Sequence, residues 1–410
     1  MTLPRAPHGD LTLHLARDPY RLIGRIAERL GTDAFRGRLM LRDTLFLSGA
    51  ERARHFYDAD LSRQGAVPLF VQVTLFGRGG VQGLDGEEHR RRKAMFLHLL
   101  GRDAPDALAA RLTSALDGLA ASQPRRIVVQ EEMVRILTRI ACDWAGIPLP
   151  EEELPARATQ LSNLFDHALP VTPRYLQALV DRRRTNAWAA ELVSATRRGE
   201  LRPPRGSALE VVAGYRDTSG RPLDRNVAAV ELLNVVRPIV AVSAWLTFMA
   251  HAAATQEGAL RAAAERPEGL VQEVRRLYPF FPVVAAVAPR DMTVGTVEVS
   301  AGTRVVLDLY GTNRDAARWQ DPGMFRPARF DGREIDPFEL VPQGGGDFET
   351  GHRCAGEWIS IALMRSFAGW MTRIDCDRPR QDMELAMTEL PGLPASRMLW
   401  ENLRPAGQRP

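Results

Sequence analysis

The sequence predicts a mainly α-helical fold that carries a small β region, and three observations lead to this expectation. Helical periodicity dominates the chain of 410 residues, at 87–120, 125–145, 151–169 and 173–198. A long apolar helix is predicted from Asp224, its N-cap, to about Ala254. Strand-like runs occur in two places far apart in the chain, 35–49 and 292–310.

The remaining elements follow in order along the chain. The run 35–49 predicts a hairpin that turns at Arg42-Asp43, and 292–310 predicts strands with a turn at Ala301-Gly302. Between them, a shorter helix at 266–278 stops at Pro279. The segment 311–353 has little periodicity, which a compact domain tolerates only for a reason. Residues 357–374 are apolar nearly all round and predict a central buried helix, and the tail 401–410 is expected to fray. No repeat or linker divides the chain, so 1–410 is expected to form one domain.

Composition restricts the function classes. The chain is 45% hydrophobic and 25% charged with a net charge of +4, which is ordinary for a globular protein. Its short arginine runs, at 89–93 and 181–185, are typical of solvated helix faces, so we do not expect nucleic-acid binding. Three widely spaced cysteines make neither a disulfide framework nor a zinc motif. Together with an N-terminus that lacks an apolar signal segment, they favour a cytoplasmic protein.

One segment, 226–254, is apolar enough to suggest a membrane span. It carries Glu231, Asn234 and an Arg237-Pro238 pair near its middle. A central arginine alone costs about 3 kcal/mol in a lipid-exposed helix. We therefore predict a long buried helix and no membrane span.

A lone cysteine, Cys354, lies in the glycine-rich stretch GGGDFETGHRCAGE at 344–357, just before the apolar helix. Amide groups at a helix N-terminus favour a thiolate, and His352 and Arg353 add positive charge. Such a thiolate could be a nucleophile or a metal ligand, and the glycines would let a flat partner approach closely. The alternative is an ordinary buried cysteine. A phosphate-binding loop is disfavoured because no Gly-Lys-Ser/Thr follows.

Three motifs in a fixed order identify a family. Glu273 and Arg276 form an E-x-x-R pair, N-R-D…W-x-D-P…F-R-P-x-R-F follows at 313–330, and G-H-R-C-x-G-E ends the series. In this order they resemble the cytochrome P450 family over nearly the whole chain. The resemblance implies a helix-rich triangular prism with a small β subdomain and haem b as cofactor. It implies that Cys354 is the thiolate ligand of the haem iron, and that Glu273, Arg276 and Arg329 form a buried salt-bridge network.

The cysteine loop departs from the usual pattern of the family, which has Phe and Gly where this chain has Asp347 and Thr350. The run 342–357, and also 74–96, instead resembles the fatty-acid peroxygenases. That branch implies further roles, with ordinary loop or core packing as the alternative for each. Residues expected to bind the cofactor are Gln82 at the haem edge, His89 and Lys93 at the propionates, Arg92 as a competing candidate, and His352. Residues expected to line the substrate site are Phe76 in the distal pocket and Phe280 and Phe281 in the channel. Lys93 is the only lysine among 54 basic residues.

The centre of the long helix lacks a feature of most monooxygenases of the family. An acid–alcohol pair usually relays protons there, whereas 234–244 reads NVVRPIVAVSA and has no such pair. Arg237 and Pro238 stand in its place. Proline removes an N–H and kinks a helix, and a buried arginine is costly without an anion. Because a guanidinium binds a carboxylate with two hydrogen bonds, we predict that Arg237 receives the carboxylate of the substrate. A structural salt bridge is the alternative.

The expected activity is hydrogen-peroxide-dependent hydroxylation of long-chain fatty acids at Cα or Cβ, with decarboxylation to terminal alkenes as a side branch. The carboxylate held by Arg237 would act as the acid–base group, so no redox partner is expected. Two alternatives stay open at this point. One is a conventional monooxygenase that takes electrons from a redox partner, and the other is a haem- or lipid-binding protein without catalysis.

Overall fold

The computed structural model describes residues 3–101, 103–167 and 174–407. Its helices are α1 (Thr12–Arg17), α2 (Leu22–Leu30), α3 (Ala50–Asp58), α4 (Leu69–Val71), α5 (Gly86–Leu100), α6 (Ala104–Ala121), α7 (Val129–Ala145), α8 (Leu154–Asp166), α9 (Arg174–Arg197), α10 (Ala208–Gly214), α11 (Arg225–Thr255), α12 (Ala259–Glu265), α13 (Pro267–Leu277), α14 (Leu309–Thr312) and α15 (Glu357–Met371). Its strands are β1 (Ala34–Leu39), β2 (Arg42–Ser48), β3 (Arg126–Val128), β4 (Val283–Val287), β5 (Met292–Val294), β6 (Val297–Val299), β7 (Arg304–Asp308), β8 (Ile374–Asp377) and β9 (Leu399–Pro405).

The two distant β regions predicted from sequence meet through β7, which joins the hairpin in one sheet, while β5 and β6 pair separately. The order of the larger sheet is β1-β2-β7-β4. The hairpin β1-β2 is antiparallel, and β2 pairs in parallel with β7, with Thr44 opposite Arg304. β4 then pairs antiparallel with β7. This small sheet forms the β subdomain beside the helices, and the expected mainly α-helical fold with a small β subdomain is confirmed.

The core is organised around α11, which packs against α7, α9 and α15. Asp224 caps its first turn by accepting hydrogen bonds from the amides of Asn226 and Val227. Its length and apolar composition would suffice to cross a membrane, but 89% of its apolar window is buried inside the protein. The helix continues through Pro238. α11 is therefore a long buried helix, as predicted, and it lies at the centre of the helical region.

Some predicted boundaries are wrong, mostly where short strands depend on distant partners. The segment expected to begin a helix at 125 first forms β3, and the tail expected to fray contributes β9, which pairs with both β3 and β8. The hairpin turns at Met40-Leu41, two residues before the predicted position. The predicted ends of α8 and α9 within 168–173 lie outside the described residues.

Candidate active site

The cysteine loop places Cys354 three residues before the start of α15. The backbone N–H of Cys354 donates to the carbonyl of Gln343 at 3.2 Å. The side-chain amide of Gln343 donates to the Cys354 Sγ at 3.8 Å and to Ser360 Oγ at 3.1 Å. A Cβ at Gly356 would contact this sulfur at 4.0 Å. The thiol is thus fixed by the loop and by the first turns of α15.

The surroundings of Cys354 act on its ionisation in both directions, since burial acts to raise the pKa of the thiol and a hydrogen bond from the Gly356 amide acts to lower it. Burial raises the pKa of the Cys354 thiol above its ordinary value. The two neighbours predicted to add positive charge near Cys354 add less than expected. Arg353 is paired with Glu357 at 2.6 Å, and burial lowers the pKa of His352 to about 2. A metal ion deprotonates a thiol that coordinates it. Deprotonation of Cys354 is therefore expected to accompany metal binding.

A buried ion network that sequence reasoning missed holds the cysteine loop against α13. Arg275 pairs with Glu357 on α15 and also donates to Gln343 at 3.3 Å. Burial acts to raise the pKa of Glu357, but Arg275 and Arg353 outweigh it and hold that pKa below its ordinary value. The signal was present in the run EVRR, because the arginine before Arg276 points from a different side of the same helix.

The E-x-x-R pair and its predicted partner meet as expected. Arg276 donates to both carboxylate oxygens of Glu273, at 2.8 and 2.9 Å, and Arg329 lies 3.2 Å from the same carboxylate. Arg276 also donates to the carbonyls of Asn313 and Pro322, at 3.1 and 2.7 Å. This network ties α13 to the irregular segment that leads into the cysteine loop.

Basic residues gather between α5 and the cysteine loop. The rings of His89 and His352 stack with centroids 3.8 Å apart, and Lys93 donates to the carbonyl of Arg353. Burial lowers the pKa of His89 to about 4, and the charge of Lys93 acts in the same direction. Burial likewise lowers the pKa of Lys93. Among the described residues Lys93 has no carboxylate within ion-pair distance. Lys93 is therefore available to pair with an anionic group of a ligand.

Arg63 joins this cluster, although nothing in its sequence neighbourhood distinguished it. Its charge lowers the pKa of both His89 and His352, and it donates to the carbonyl of Ala285 at 2.8 Å. Arg92, the competing candidate, has another partner: it pairs with Glu231 on α11 at 2.5 Å. We therefore predict Lys93 and Arg63 as the cations for the cofactor's propionates, with His89 as an uncharged hydrogen-bond donor beside them.

Arg237 lies on α11 and is only 5% exposed. Its Nη2 donates to Asn234 Oδ1 at 3.4 Å, and its Nε has no hydrogen-bond partner. Within the described ranges no carboxylate lies within 4 Å of its guanidinium, so the alternative of a structural salt bridge finds no support. Burial, together with the nearby charge of Arg182, lowers its pKa to about 9, while the charge of Cys354 acts to raise it. The group is therefore a cation at neutral pH, within electrostatic reach of Cys354.

The other predicted residues are placed around this space. Asn234 links Arg237 to Gln82, whose Oε1 accepts from the Asn234 amide at 3.3 Å. Phe280 stacks on Trp245 of α11 at 4.3 Å and contacts Phe281 edge to face. Phe76 is half-buried against the same core. Pro238 follows Arg237 inside the continuous helix, so no break in α11 accompanies it.

These residues fit haem b. A single thiol is placed to ligate an iron ion, basic side chains gather where propionates need partners, and aromatic side chains line the interior beside them. A bare metal ion fits less well, because the described residues hold no cluster of three or more His, Cys, Asp or Glu side chains. Cys354 is thus the predicted iron ligand.

Comparison with known proteins places the chain in a family. Residues 268–373 match the family model of cytochrome P450. The fold matches cytochrome P450SP alpha (CYP152B1) in complex with (R)-ibuprophen at 44% identity and a TM-score of 0.93, over 98% of this chain and 100% of that one. It matches cytochrome P450EX alpha (CYP152N1) with myristic acid at 35% identity and a TM-score of 0.94, over 99% and 100%. A variant of cytochrome P450 OleT in complex with arachidonic acid matches at 32% identity and a TM-score of 0.94, over 100% of both chains.

The curated relatives add a more limited likeness. Cytochrome P450 71A8 of Mentha piperita is 30% identical over 138 residues, so the match spans 32% of this chain and 27% of that relative's length. The structural likeness, by contrast, covers complete chains. The chain belongs to the cytochrome P450 family, within its fatty-acid peroxygenase branch, and its cofactor is haem b.

Proposed function

We propose that this protein is a haem-thiolate peroxygenase that uses hydrogen peroxide to hydroxylate long-chain fatty acids at Cα or Cβ, with decarboxylation as a side reaction. The observation that carries the proposal is the unpaired, buried guanidinium of Arg237. An arginine taken out of water without an anion is costly, and a ligand that supplies the anion offsets this cost. Two related structures contain fatty acids, myristic acid and arachidonic acid.

A carboxylate is the anion that suits this position. The Nε of Arg237 makes no hydrogen bond, and its Nη2 makes one long hydrogen bond to Asn234. The guanidinium can therefore donate two hydrogen bonds to the oxygens of a carboxylate. The apolar and aromatic surroundings of α11 then receive the alkyl chain. Binding through the head group fixes the carbons next to the carboxylate nearest the reacting centre, which explains the expected attack at Cα or Cβ.

The bound carboxylate also supplies the proton transfers. Haem b, when bound, supplies the iron centre at which hydrogen peroxide is activated, with a thiolate ligand that favours cleavage of the O–O bond. α11 offers no acid–alcohol pair for this cleavage. We propose that the carboxylate held by Arg237 accepts a proton from hydrogen peroxide and returns it to the departing oxygen. Glu231, the nearest acid on α11, is paired with Arg92 and is not free for this role.

This proposal needs no electron-donating partner, since hydrogen peroxide supplies both the oxygen and the oxidising equivalents. The protein would act in the cytoplasm, which its three unpaired cysteines and its buried central helix support. A conventional monooxygenase would need a different proton route at the centre of α11. In the part of the chain that the structure describes, no specific contact favours a protein that binds lipid without catalysis.

The test is product analysis with purified, haem-loaded protein, myristic acid and hydrogen peroxide in the absence of any reductase. Acids hydroxylated at Cα or Cβ, or a terminal alkene one carbon shorter, would support the proposal. Absence of product with peroxide, together with turnover in a ferredoxin system, would assign the chain to the monooxygenases instead. Arg237→Ala should abolish turnover of the acid while haem binding survives, and an unchanged rate would exclude the role of Arg237.

A further inference from the structure

A second buried arginine, Arg182 on α9, also lacks an acidic partner. It is 3% exposed, and in the described parts of the chain no carboxylate lies within 4 Å of its guanidinium. Its Nη1 donates to the carbonyls of Thr74 and Leu75, at 3.1 and 3.3 Å, while Nε and Nη2 have no hydrogen-bond partner. Two neutral carbonyls do not offset the cost of burying a full charge.

Arg182 reaches the face of α11 that carries Arg237. A Cβ at Gly77 would lie 2.0 Å from Arg182 Nη2 and 2.7 Å from a methyl group of Val230, so the guanidinium and α11 meet around this glycine. Val230 and Arg237 are seven residues apart, which places them on one face of the helix about 10 Å apart along its axis. The charge of Arg182 also contributes to lowering the pKa of Arg237, after burial.

The site therefore contains two buried cations on one side of the central helix, and one anion would serve both. Charges are screened less inside a protein than in water, so the charge of Arg182 still favours the binding of an anion at Arg237. We propose that Arg182 is a specificity-determining residue: without touching the substrate, its buried charge makes the Arg237 site select carboxylates over uncharged head groups. This inference rests on the proposed function of Arg237.

The competing explanation is a purely mechanical role. Arg182 anchors the segment before Gly77 through its two carbonyl contacts, and that segment carries Phe76. A lysine or an amide could make such contacts, however, and they use only one of three guanidinium nitrogens. The chain offers a matched control for anchoring, because Tyr175 on the same helix donates to the carbonyl of Phe70 at 3.2 Å without any charge.

The experiment compares two ligands of equal chain length, myristic acid and the uncharged tetradecanol. Dissociation constants are measured from the shift of the haem Soret band in the wild type, Arg182→Gln, Arg182→Lys and Tyr175→Phe. Arg182→Gln keeps an N–H donor but removes the charge, so we expect the acid to bind roughly ten-fold more weakly and the alcohol to bind as before. Arg182→Lys should retain most of the selectivity, and Tyr175→Phe should leave the ratio of the two constants unchanged.

Equal weakening of both ligands in Arg182→Gln, or no change in either, would overturn the inference. If Arg182→Gln does not fold, Arg182→Met removes the same charge, and the same ratio of dissociation constants is measured in that variant.

The proposed function is tested separately from the role of Arg182. Loss of selectivity in Arg237→Met but not in Arg182→Gln overturns the role of Arg182 alone, whereas selectivity that survives Arg237→Met overturns the carboxylate site itself.

Discussion

Arg276 and Arg237 are both buried arginines on helices of the same core, yet their surroundings differ completely. Arg276 is 0% exposed and binds both oxygens of Glu273 as well as three backbone carbonyls. Arg237, almost as deeply buried, has one hydrogen bond of 3.4 Å and, among the residues that the structure describes, no acid. The first guanidinium is satisfied by the fold, and the second is not. Under the proposed function, the first charge stabilises the protein and the second recognises a substrate.

The largest effect is expected where the satisfied network loses its acid. Glu273→Gln would leave Arg276 and Arg329 buried without a counter-charge, which costs about 3–5 kcal/mol. We expect little folded, haem-containing protein, measured as the ratio of Soret to protein absorbance and as the thermal midpoint. Glu268→Gln is the matched control, since this exposed acid on the same helix pairs with Arg365 at 3.0 Å and should change stability by less than about 1 kcal/mol. Similar stability in the two variants would contradict the account.

A change at Arg237 that keeps the charge but removes the fork should affect binding rather than folding. Arg237→Lys replaces two parallel hydrogen bonds by a point charge, so we expect the affinity for myristic acid to fall roughly ten-fold. The thermal midpoint of the substrate-free protein should stay the same. Arg225→Lys, at the exposed start of the same helix, serves as the control and should leave both quantities unchanged. Wild-type affinity in Arg237→Lys would exclude a two-point contact with the carboxylate.

The satisfied network should tolerate the loss of its outer member. Arg329→Met leaves both carboxylate oxygens of Glu273 hydrogen-bonded to Arg276. We therefore expect a loss of only about 1–2 kcal/mol in the free energy of unfolding. Denaturant unfolding monitors this, with Arg326→Met as the control because Arg326 is exposed and pairs with Asp321. A loss as large as that of Glu273→Gln would mean that Arg329, and not Arg276, is the principal partner.

The smallest effect, and one of opposite sign, is expected for the stability of Arg237→Met. Replacing an unpaired buried cation by an apolar side chain of similar length should leave the substrate-free protein equally stable, or more stable by up to about 1 kcal/mol. Thermal denaturation without fatty acid measures this. A drop of the size expected for Glu273→Gln would reveal a protein partner for Arg237 and remove the contrast between the two arginines.

Much of this contrast can be read from the sequence, because motif order identifies Cys354, Glu273 and Arg276, and the Arg-Pro pair at the centre of the long helix identifies Arg237. Neighbours within a motif are harder. Arg275, next to Arg276, was missed, and Arg92, the competing candidate next to Lys93, has another partner, because one residue on a helix turns a side chain by about 100°. Their roles depend on Glu357 and Glu231, which lie far away in the chain.

Two further features have physical causes that the sequence does not carry. The helix N-terminus predicts a thiolate at Cys354, whereas the burial that raises the pKa of this thiol in the protein alone is a property of the packed loop. The hairpin turn was expected at Asp43, a typical turn residue, whereas Met40 and Leu41 adopt positive φ angles of 54° and 60°. Their amides are held by Thr12 and Asp10, at 2.5 and 2.7 Å, so a distant segment fixes the turn.

The most direct test of the central claim is peroxide-driven turnover of myristic acid by the wild type and Arg237→Met at equal haem content. If Arg237 holds the carboxylate that acts as acid and base, the wild type forms acids oxidised at Cα or Cβ. The variant should then lose at least about 100-fold in rate, equivalent to roughly 3 kcal/mol of transition-state stabilisation, with an unchanged haem spectrum. A variant rate within about ten-fold of the wild type would contradict the account.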